Sequence, residues 1–292
     1  MRFKFSGLSF LGITLWLLFP ALEAGAGMKP GRTLENLATL PKPLVITHRG
    51  GPLLYPEGTM EAYYQSTDAG TQIIEIDCRT LKDGLVVIMH DRLIERTTNG
   101  KGEISELNSA ALQHLYIDGE KLAVAQKAHY HIPTLDEVLE AFGNKKVIFI
   151  EPKDARSARL IADKLVQYKI KPEWVMVNAF DKNWLQPSEQ AGYKTCFNLL
   201  HNDKTEIAAL KREGYWAIGC DNSATEQYIR DLRAAGFKVF MYVFSRRSDL
   251  APFLTYGIDG YYADDPVYLG PMANYLRTSD PYATQTWYPG MV

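Results

Sequence analysis

The chain has 292 residues, of which 46% are hydrophobic and 23% are charged, and its formal net charge is -2. This composition is ordinary for a globular protein, and the length suits one barrel-sized domain. A nearly neutral chain has no general attraction for nucleic acid or for anionic membranes. An anionic substrate would therefore have to be attracted locally, by a metal ion or by Arg and Lys side chains.

The first residues have the order of a secretory signal. Arg2 and Lys4 precede an apolar stretch at 5–22, and Glu23 and small residues follow it. This order predicts a signal peptide at 1–26, cleaved after Ala26. The alternative is an uncleaved anchor, because a stretch of this length is at the lower limit for a membrane span. Both alternatives export the rest of the chain, so we expect a periplasmic or secreted protein.

After a linker at 27–42, short apolar runs alternate with helical patterns, and a glycine follows most of the helical patterns. Nearly continuous apolar strands indicate a parallel sheet that is buried on both faces. Eight such units favour a closed (β/α)8 TIM barrel over 43–270 rather than an open sheet. The predicted strands are 44–48, 73–77, 147–151, 175–180, 195–200, 216–220, 239–244 and 260–264, and the predicted helices are 58–69, 135–142, 156–168, 205–213, 225–235 and 248–256.

A further extended run at 85–90 follows the second strand after a short turn, Lys82-Asp83-Gly84. The connection is too short for a parallel crossover, so we expect a hairpin arm. Residues 78–133 would then be an insertion above the second strand that carries His90 over the barrel mouth. An aromatic tail at 271–292 follows the barrel, and packing across the barrel is a better explanation for it than a partner site.

The three cysteines, Cys78, Cys196 and Cys220, all fall in predicted strands. An odd number in such positions indicates small buried hydrophobic residues rather than a disulfide framework. No Cys-x-x-Cys pair is present, which disfavours a zinc or redox site built on sulfur.

Three carboxylates fall at the carboxyl ends of predicted strands, where barrel enzymes build their sites. Glu75 and Asp77 are two residues apart on one strand, so both face the same side; Glu151 ends the next barrel strand. A set of oxygen ligands suits one hard divalent cation, Mg²⁺ or Ca²⁺. Without a cation, three neighbouring charges would be costly or would take up protons.

His48 and His90 flank these carboxylates, and imidazole suits general acid and general base catalysis near neutral pH. Arg49 and Lys153 adjoin the cluster and could hold phosphate oxygens. Together with a divalent cation, these groups indicate phosphoryl transfer at a phosphodiester. No GxxxxGK[ST] loop is present, so a nucleoside triphosphatase has no support. Phe180, at the end of a strand, is a candidate apolar wall of the mouth.

Seven motifs occur along the chain in this order: His48-Arg49-Gly50, Pro56-Glu57-Gly58-Thr59, Glu75-Ile76-Asp77, Thr80-Leu81-Lys82-Asp83-Gly84, His90-Asp91, Arg96-Thr97-Thr98 and Glu151-Pro152-Lys153. With these motifs the chain resembles the glycerophosphodiester phosphodiesterase family, a group of TIM barrels of the phosphatidylinositol phospholipase C type. The resemblance implies metal binding by Glu75, Asp77 and Glu151 and acid-base catalysis by His48 and His90. It also implies hydrolysis of small glycerophosphodiesters to glycerol 3-phosphate and an alcohol, with Glu57 near the substrate.

The chain departs from the family pattern at two positions. Gly58 stands where the family has an Asn. On the seventh strand, the family has a Trp-Thr pair, and this chain has Tyr242-Val243-Phe244-Ser245 instead. We therefore expect an altered choice of head group. Two alternatives stay open: a phospholipase D-like hydrolase of lysophospholipids or sphingolipids, and a catalytically silent binding protein. Membrane contact is expected only if the N-terminal segment is retained or the substrate is a lipid.

Overall fold

The computed structural model describes residues 32–38, 43–124, 127–200 and 206–271. The predicted signal peptide at 1–26 and the tail from 272 onward lie outside the described residues. No helix in the described ranges is long and apolar enough to cross a membrane.

The described chain has eleven strands and nine α-helices, with short 3₁₀ helices between them. The strands are β1 Leu44–Thr47, β2 Ile73–Thr80, β3 Val86–Ile88, β4 Tyr116–Asp118, β5 His129–His131, β6 Val147–Pro152, β7 Val175–Ala179, β8 Lys194–Asn198, β9 Ala217–Cys220, β10 Lys238–Phe244 and β11 Gly260–Ala263. The helices are α1 Leu34–Ala38, α2 Met60–Asp68, α3 Leu135–Phe142, α4 Ala155–Gln167, α5 Gln186–Gln190, α6 Ile207–Glu213, α7 Glu226–Ala234, α8 Arg247–Leu250 and α9 Pro266–Leu269.

Eight parallel strands close into a barrel. Its order is β1-β11-β10-β9-β8-β7-β6-β2, and β1 pairs with β2 to complete the ring. The predicted (β/α)8 TIM barrel is confirmed, and each of the eight predicted strands is present. Since parallel strands all point the same way, their carboxyl ends form one face of the barrel.

The side chains of the strands alternate between two apolar layers. One layer fills the barrel interior and includes Ile46, Ile73, Phe149 and Phe240. The other lies between the strands and the surrounding helices. At the carboxyl ends of the strands, the interior positions are polar instead. Glu75 and Asp77 are buried at these positions.

Side-chain caps fix where two of the barrel helices begin. Thr134 and Glu137 form a reciprocal capping box at the start of α3, and Asp154 and Ser157 form one at the start of α4. Such caps satisfy amide groups that have no partner inside the helix. The N-cap of α4, Asp154, lies three residues after Glu151, so this cap also fixes the loop that carries Lys153.

The segment between β2 and α3 forms the insertion. The predicted hairpin arm is present, because β3 runs antiparallel to β2 and pairs Cys78 with Ile88. The strands β4 and β5 form a second antiparallel pair. The insertion has an apolar cluster of its own, with Leu81, Ile94 and Ile117 almost fully buried. This packing holds the residues after β3 against the barrel mouth.

Several local features differ from the sequence prediction, among them the unpredicted strand pair β4–β5 and the helix α9. The strand β2 continues to Thr80, and α1 lies within the predicted linker. The predicted helix 248–256 is divided into α8 and a 3₁₀ segment at Ala251–Thr255. Pro252 lies at the junction and has no amide hydrogen to continue α-helical hydrogen bonding. The short helix α5 between β7 and β8 was not predicted.

Cys78, Cys196 and Cys220 are all buried in strands, and none of them forms a disulfide. This agrees with the prediction that they act as small apolar residues.

Candidate active site

Three carboxylates meet at the mouth of the barrel. Asp77 on β2 lies directly beside Glu151 on β6 in the parallel register, and Glu75 precedes Asp77 by one strand period. One carboxylate oxygen from each residue lies within 4.8 Å of the other two. Glu75 and Asp77 are buried, with exposed fractions of 1% and 4%. The predicted cluster is therefore assembled with its oxygen atoms close enough to share one ligand.

Two cations lie against this cluster. The Lys153 Nζ atom is 2.9 Å from Asp77 Oδ1 and also contacts Glu151 Oε1. The Arg49 Nε atom is 3.3 Å from Asp77 Oδ2. The amide of Asn178 donates a hydrogen bond to Glu151 Oε2 at 3.2 Å. Most of the attraction from these cations thus falls on Asp77, which has contacts to both.

The turn after β1 brings a backbone donor to the third carboxylate. Arg49 has a positive φ of 49°, a conformation that costs energy in a residue with a side chain. In this conformation its amide N–H donates to Glu75 Oε2 at 2.8 Å. The next residue must be glycine, because a Cβ atom at Gly50 would lie 2.7 Å from the Cβ of Ala62. The His-Arg-Gly motif therefore shapes a strained turn that faces the cluster.

The pKa values show that the described residues do not neutralise the cluster. Burial and the charges of Asp77 and Glu151 raise the pKa of Glu75 well above its usual value. Burial raises the pKa of Glu151 to about 7, against the lowering effect of Lys153. Burial also acts on Asp77, but Lys153 and Arg49 reverse its effect and lower that pKa. An additional positive charge would let all three groups ionise.

These features fit a hard divalent cation. The donor set consists of oxygen atoms from three carboxylates, which is the set that Mg²⁺ and Ca²⁺ prefer. The raised pKa values of Glu75 and Glu151 indicate that two of the three groups lack a sufficient counter-charge. The predicted ligands thus agree in geometry and in electrostatics with one bound cation.

Each of the two predicted catalytic histidines is oriented by a carboxylate. The His48 Nδ1 atom is 2.6 Å from Asp264 Oδ1, and the His90 Nδ1 atom is 2.7 Å from Asp91 Oδ1. A carboxylate acceptor places the proton on Nδ1 in a neutral imidazole, so Nε2 is the atom available for proton transfer. Burial, together with the charges of Lys153 and Arg49, lowers the pKa of His90 although Asp77 raises it.

Glu57 lies beside the site and is held by two arginines. Its Oε1 atom is 3.2 Å from Arg49 Nη1. Arg96 binds both oxygens of Glu57, at 2.7 and 2.8 Å. Burial would raise the pKa of Glu57, but the hydrogen bond from Arg96 and the charge of Arg49 lower it instead. Glu57 is thus an ionised partner of two guanidinium groups.

A cavity of about 120 Å³ opens beside the cluster. It brings together seven of the residues that the sequence singled out for the site, with Phe180 forming part of the wall. Phe180 packs edge to face against Tyr242, with ring centroids 5.4 Å apart. The lining residues are His48, Arg49, Glu75, His90, Glu151, Lys153, Phe180, Asn198, Tyr242, Val243 and Tyr262.

Sequence reasoning missed several residues at the site. Asp264 directly follows β11, and His48 directly follows β1, the strand beside β11 in the barrel. These two strand-end positions could have predicted the contact between Asp264 and His48. Asp91 and Arg96 were within quoted motifs but had no assigned role. Asn198 and Tyr262 gave no sequence signal, because an Asn or Tyr in a strand is usually structural.

Residues 48–268 match the model of the Glycerophosphoryl diester phosphodiesterase family. A glycerophosphodiester phosphodiesterase of Bacillus subtilis is 26% identical over 278 residues, which cover 88% of this chain and 92% of that protein. One from Caldanaerobacter subterraneus is 28% identical over 239 residues, covering 77% of this chain and 95% of that protein.

Solved structures have the same fold. A putative glycerophosphoryl diester phosphodiesterase from Silicibacter pomeroyi has a TM-score of 0.75 at 19% identity, covering 84% of this chain and 98% of that one. An Oleispira antarctica phosphodiesterase, solved with the product sn-glycerol-3-phosphate, has a TM-score of 0.70 at 24% identity, covering 80% of this chain and 96% of that one.

Proposed function

Because the chain belongs to the glycerophosphoryl diester phosphodiesterase family, we propose that it hydrolyses glycerophosphodiesters to glycerol 3-phosphate and an alcohol. Membership in the family confirms the resemblance that was drawn from the ordered motifs. It also confirms the predicted enzyme class, a phosphoric diester hydrolase. The observation that carries the proposal is the cavity at the barrel mouth, where two cations and two histidines lie with Glu75 and Glu151. Both carboxylates belong to the cluster completed by the buried Asp77.

The proposal includes one divalent cation, Mg²⁺ or Ca²⁺, held by Glu75, Asp77 and Glu151. When bound, such a cation neutralises negative charge that develops on the phosphoryl oxygens. The donor set and the raised pKa values of Glu75 and Glu151 support this assignment.

Arg49 and Lys153 are proposed to bind the phosphodiester group. Both line the cavity, and both are partly buried, so their charges are less screened than those of surface residues. Arg49 can offer a planar pair of donors, whereas Lys153 acts as a point charge. Their contacts with Asp77 and Glu57 keep these cations in place before the substrate arrives.

His48 and His90 are proposed to transfer the protons. One imidazole takes the proton of the attacking hydroxyl as the new P–O bond forms, and the other protonates the alcohol oxygen as its P–O bond breaks. The attacking group is a water molecule or a neighbouring glycerol hydroxyl. In the second case the first product is a cyclic phosphate, which water then opens. The hydrogen bonds to Asp264 and Asp91 support this role, because they leave Nε2 of each ring available.

Phe180, Tyr242 and Val243 are proposed to contact the glycerol or alcohol part of the substrate. Val243 lines the cavity and is also 36% exposed to solvent. This exposed apolar edge favours one further candidate substrate, a lysophospholipid whose chain would leave the cavity over Val243.

We also propose that the protein acts outside the cytoplasm, on the basis of the N-terminal sequence at 1–26. N-terminal sequencing of the purified protein tests this. A mature N-terminus at Gly27 supports cleavage, whereas retention of Met1 in a cytoplasmic fraction contradicts export.

A turnover screen tests the proposed activity. Purified protein is assayed with Mg²⁺ and with Ca²⁺ on glycerophosphocholine, glycerophosphoethanolamine and lysophosphatidylcholine, and release of glycerol 3-phosphate or of the free head group is measured. We expect glycerol 3-phosphate from the water-soluble diesters. Turnover of lysophosphatidylcholine alone would favour the lipid substrate, and no turnover of any diester would favour a silent binding protein.

A further inference from the structure

The Arg96-Thr97-Thr98 motif has no part in the chemistry described above, yet Arg96 contacts the site from the insertion. Arg96 ends a 3₁₀ helix, Ile94–Arg96. Its Nη1 and Nη2 atoms donate to the two oxygens of Glu57 at 2.8 and 2.7 Å. Its Nε atom donates to Asp91 Oδ2. One planar guanidinium thus binds a carboxylate from the barrel and a carboxylate from the insertion at the same time.

Each of these carboxylates orients a residue of the proposed mechanism. Asp91 Oδ1 is 2.7 Å from His90 Nδ1, and Glu57 Oε1 is 3.2 Å from Arg49 Nη1. Arg96 is therefore the central link of a continuous chain, His90–Asp91–Arg96–Glu57–Arg49. It is the one described side chain that joins the two carboxylates.

The position of His90 depends on this link in a specific way. Arg79 fixes the backbone of His90 through a hydrogen bond from its Nε atom to the His90 carbonyl at 2.8 Å. The orientation of the imidazole ring depends instead on Asp91. Among the described residues, Asp91 Oδ2 has Arg96 as its side-chain partner, so removing the guanidinium frees the Asp91 carboxylate to rotate away from Nδ1.

An exposed ion pair by itself contributes little to stability, and the Arg96 side chain is 47% exposed. Arg96 binds Glu57 through two parallel hydrogen bonds, and its two carboxylate partners are less exposed than its own side chain. These features indicate a role in positioning rather than in stability. We propose that Arg96 is a positioning residue for the reaction proposed above: it fixes the His90 imidazole through Asp91 and the Arg49 guanidinium through Glu57. It thereby sets the distance between a proton-transfer group and a phosphate-binding cation. This inference rests on the proposed function.

Kinetics of Arg96 variants test the inference. Wild-type protein, Arg96→Gln, Arg96→Lys and the control Arg92→Gln are assayed on glycerophosphocholine with Mg²⁺ and with Ca²⁺. Arg92 is a matched control, because it lies in the same insertion and pairs with Glu103 rather than with Asp91 or Glu57. We expect kcat to fall about 10- to 100-fold in Arg96→Gln. KM should rise less than kcat falls, because Arg96 does not line the cavity.

The conservative variant and the control sharpen this test. A lysine ammonium can bind one of the two carboxylates, but it lacks the planar set of donors with which a guanidinium binds both. The kcat of Arg96→Lys should therefore lie between that of Arg96→Gln and that of wild type. Arg92→Gln should stay within about two-fold of wild type. Wild-type kcat in Arg96→Gln would overturn the inference. An equal loss in Arg92→Gln would also overturn it, because the effect would then belong to the insertion as a whole.

A spectroscopic measurement separates this inference from the proposed function. The ¹⁵N shifts of His90, assigned with His90→Gln, report which ring nitrogen carries the proton. We expect an Nδ1–H tautomer in wild type and a mixture in Arg96→Gln, with His48 unchanged. Unchanged His90 shifts overturn the positioning role even if the wild-type protein has no diesterase activity. If Arg96→Gln does not fold, Arg96→Lys serves the same comparison.

Discussion

The His48 Nδ1 atom on one side of the barrel closure is 2.6 Å from Asp264 Oδ1 on the other side, although 216 residues separate them in sequence. Ser245 donates to the second oxygen of Asp264 at 2.5 Å, so both carboxylate oxygens have a partner. Burial would raise the pKa of Asp264, but the bond with His48 lowers it. Asp264 is therefore an ionised group that orients His48, and the pairing exists only because β11 closes onto β1.

Asp264→Asn should lower kcat on glycerophosphocholine about 10- to 100-fold, because the amide no longer fixes the Nδ1–H tautomer of His48. Steady-state kinetics measure this loss. Ser245→Ala is the matched control, since it removes one hydrogen bond to Asp264 but leaves the carboxylate. Its kcat should change less than about 3-fold. Equal losses in the two variants would show that Asp264 does not act through its charge on His48.

His48→Ala and His90→Ala should each abolish turnover and leave the affinity for Mg²⁺ or Ca²⁺ nearly normal. The imidazoles carry the proposed proton transfer, whereas the oxygens of the carboxylates form the proposed ligand set. Isothermal titration with each cation and a turnover assay on the same preparations separate the two effects. A histidine variant with wild-type turnover would remove that histidine from the mechanism.

Addition of Mg²⁺ or Ca²⁺ should raise the melting temperature at neutral pH. A cation relieves the repulsion that raises the pKa of Glu75 and Glu151, and binding to the folded state stabilises it by about 2.7 kcal/mol at one hundred times Kd. Differential scanning fluorimetry measures the shift. Glu75→Gln removes one ligand charge and should reduce the shift strongly, whereas Glu95→Gln, in the insertion, should leave it unchanged. A wild-type shift in Glu75→Gln would contradict the assigned ligand set.

Lys146 should make stability depend on pH. It is 8% exposed, and its ammonium donates to the carbonyl of Thr71. Burial lowers its pKa to about 8 from 10.5, with a smaller opposing effect of Asp68. Between these two pH values the unfolded state binds more protons than the folded state, so this group adds stability as pH rises.

The comparison of wild type with Lys146→Met isolates that contribution, because burial also raises the pKa of the Cys78 and Cys196 thiols well above its usual value and adds a second pH dependence that both proteins share. From about pH 7.5 to about pH 9.5, the free energy of unfolding of wild type should rise by about 2 kcal/mol relative to the variant. Urea unfolding at a series of pH values measures it. Parallel curves for the two proteins would show that Lys146 keeps an ordinary pKa.

Tyr262→Phe should stabilise the fold by about 1 kcal/mol. The Tyr262 hydroxyl is buried and has no hydrogen-bond partner within the described structure, and such a group costs stability. Because Tyr262 also lines the cavity, we expect the substitution to raise KM for glycerophosphocholine. Urea unfolding and steady-state kinetics check the two effects, and a loss of stability would show that the hydroxyl has a partner in solution.

The sequence by itself determined the barrel and the center of the site. Alternating apolar runs and helical patterns identified all eight barrel strands, and the spacing of Glu75 and Asp77 placed both on one face. These features depend on local periodicity, which is readable within a few residues. The strand-end positions of His48 and Glu151 followed in the same way.

Only the tertiary structure decided which groups orient the residues of the proposed mechanism. Asp264 reaches His48 because the barrel closes, and Arg96 reaches Glu57 because the insertion folds over the mouth on an apolar cluster of its own. The division of the predicted helix at Pro252 and the new helix α5 also depended on local geometry that the apolar pattern does not contain. Contacts between residues distant in sequence depend on the relative placement of whole elements, and no periodicity along the chain encodes that placement.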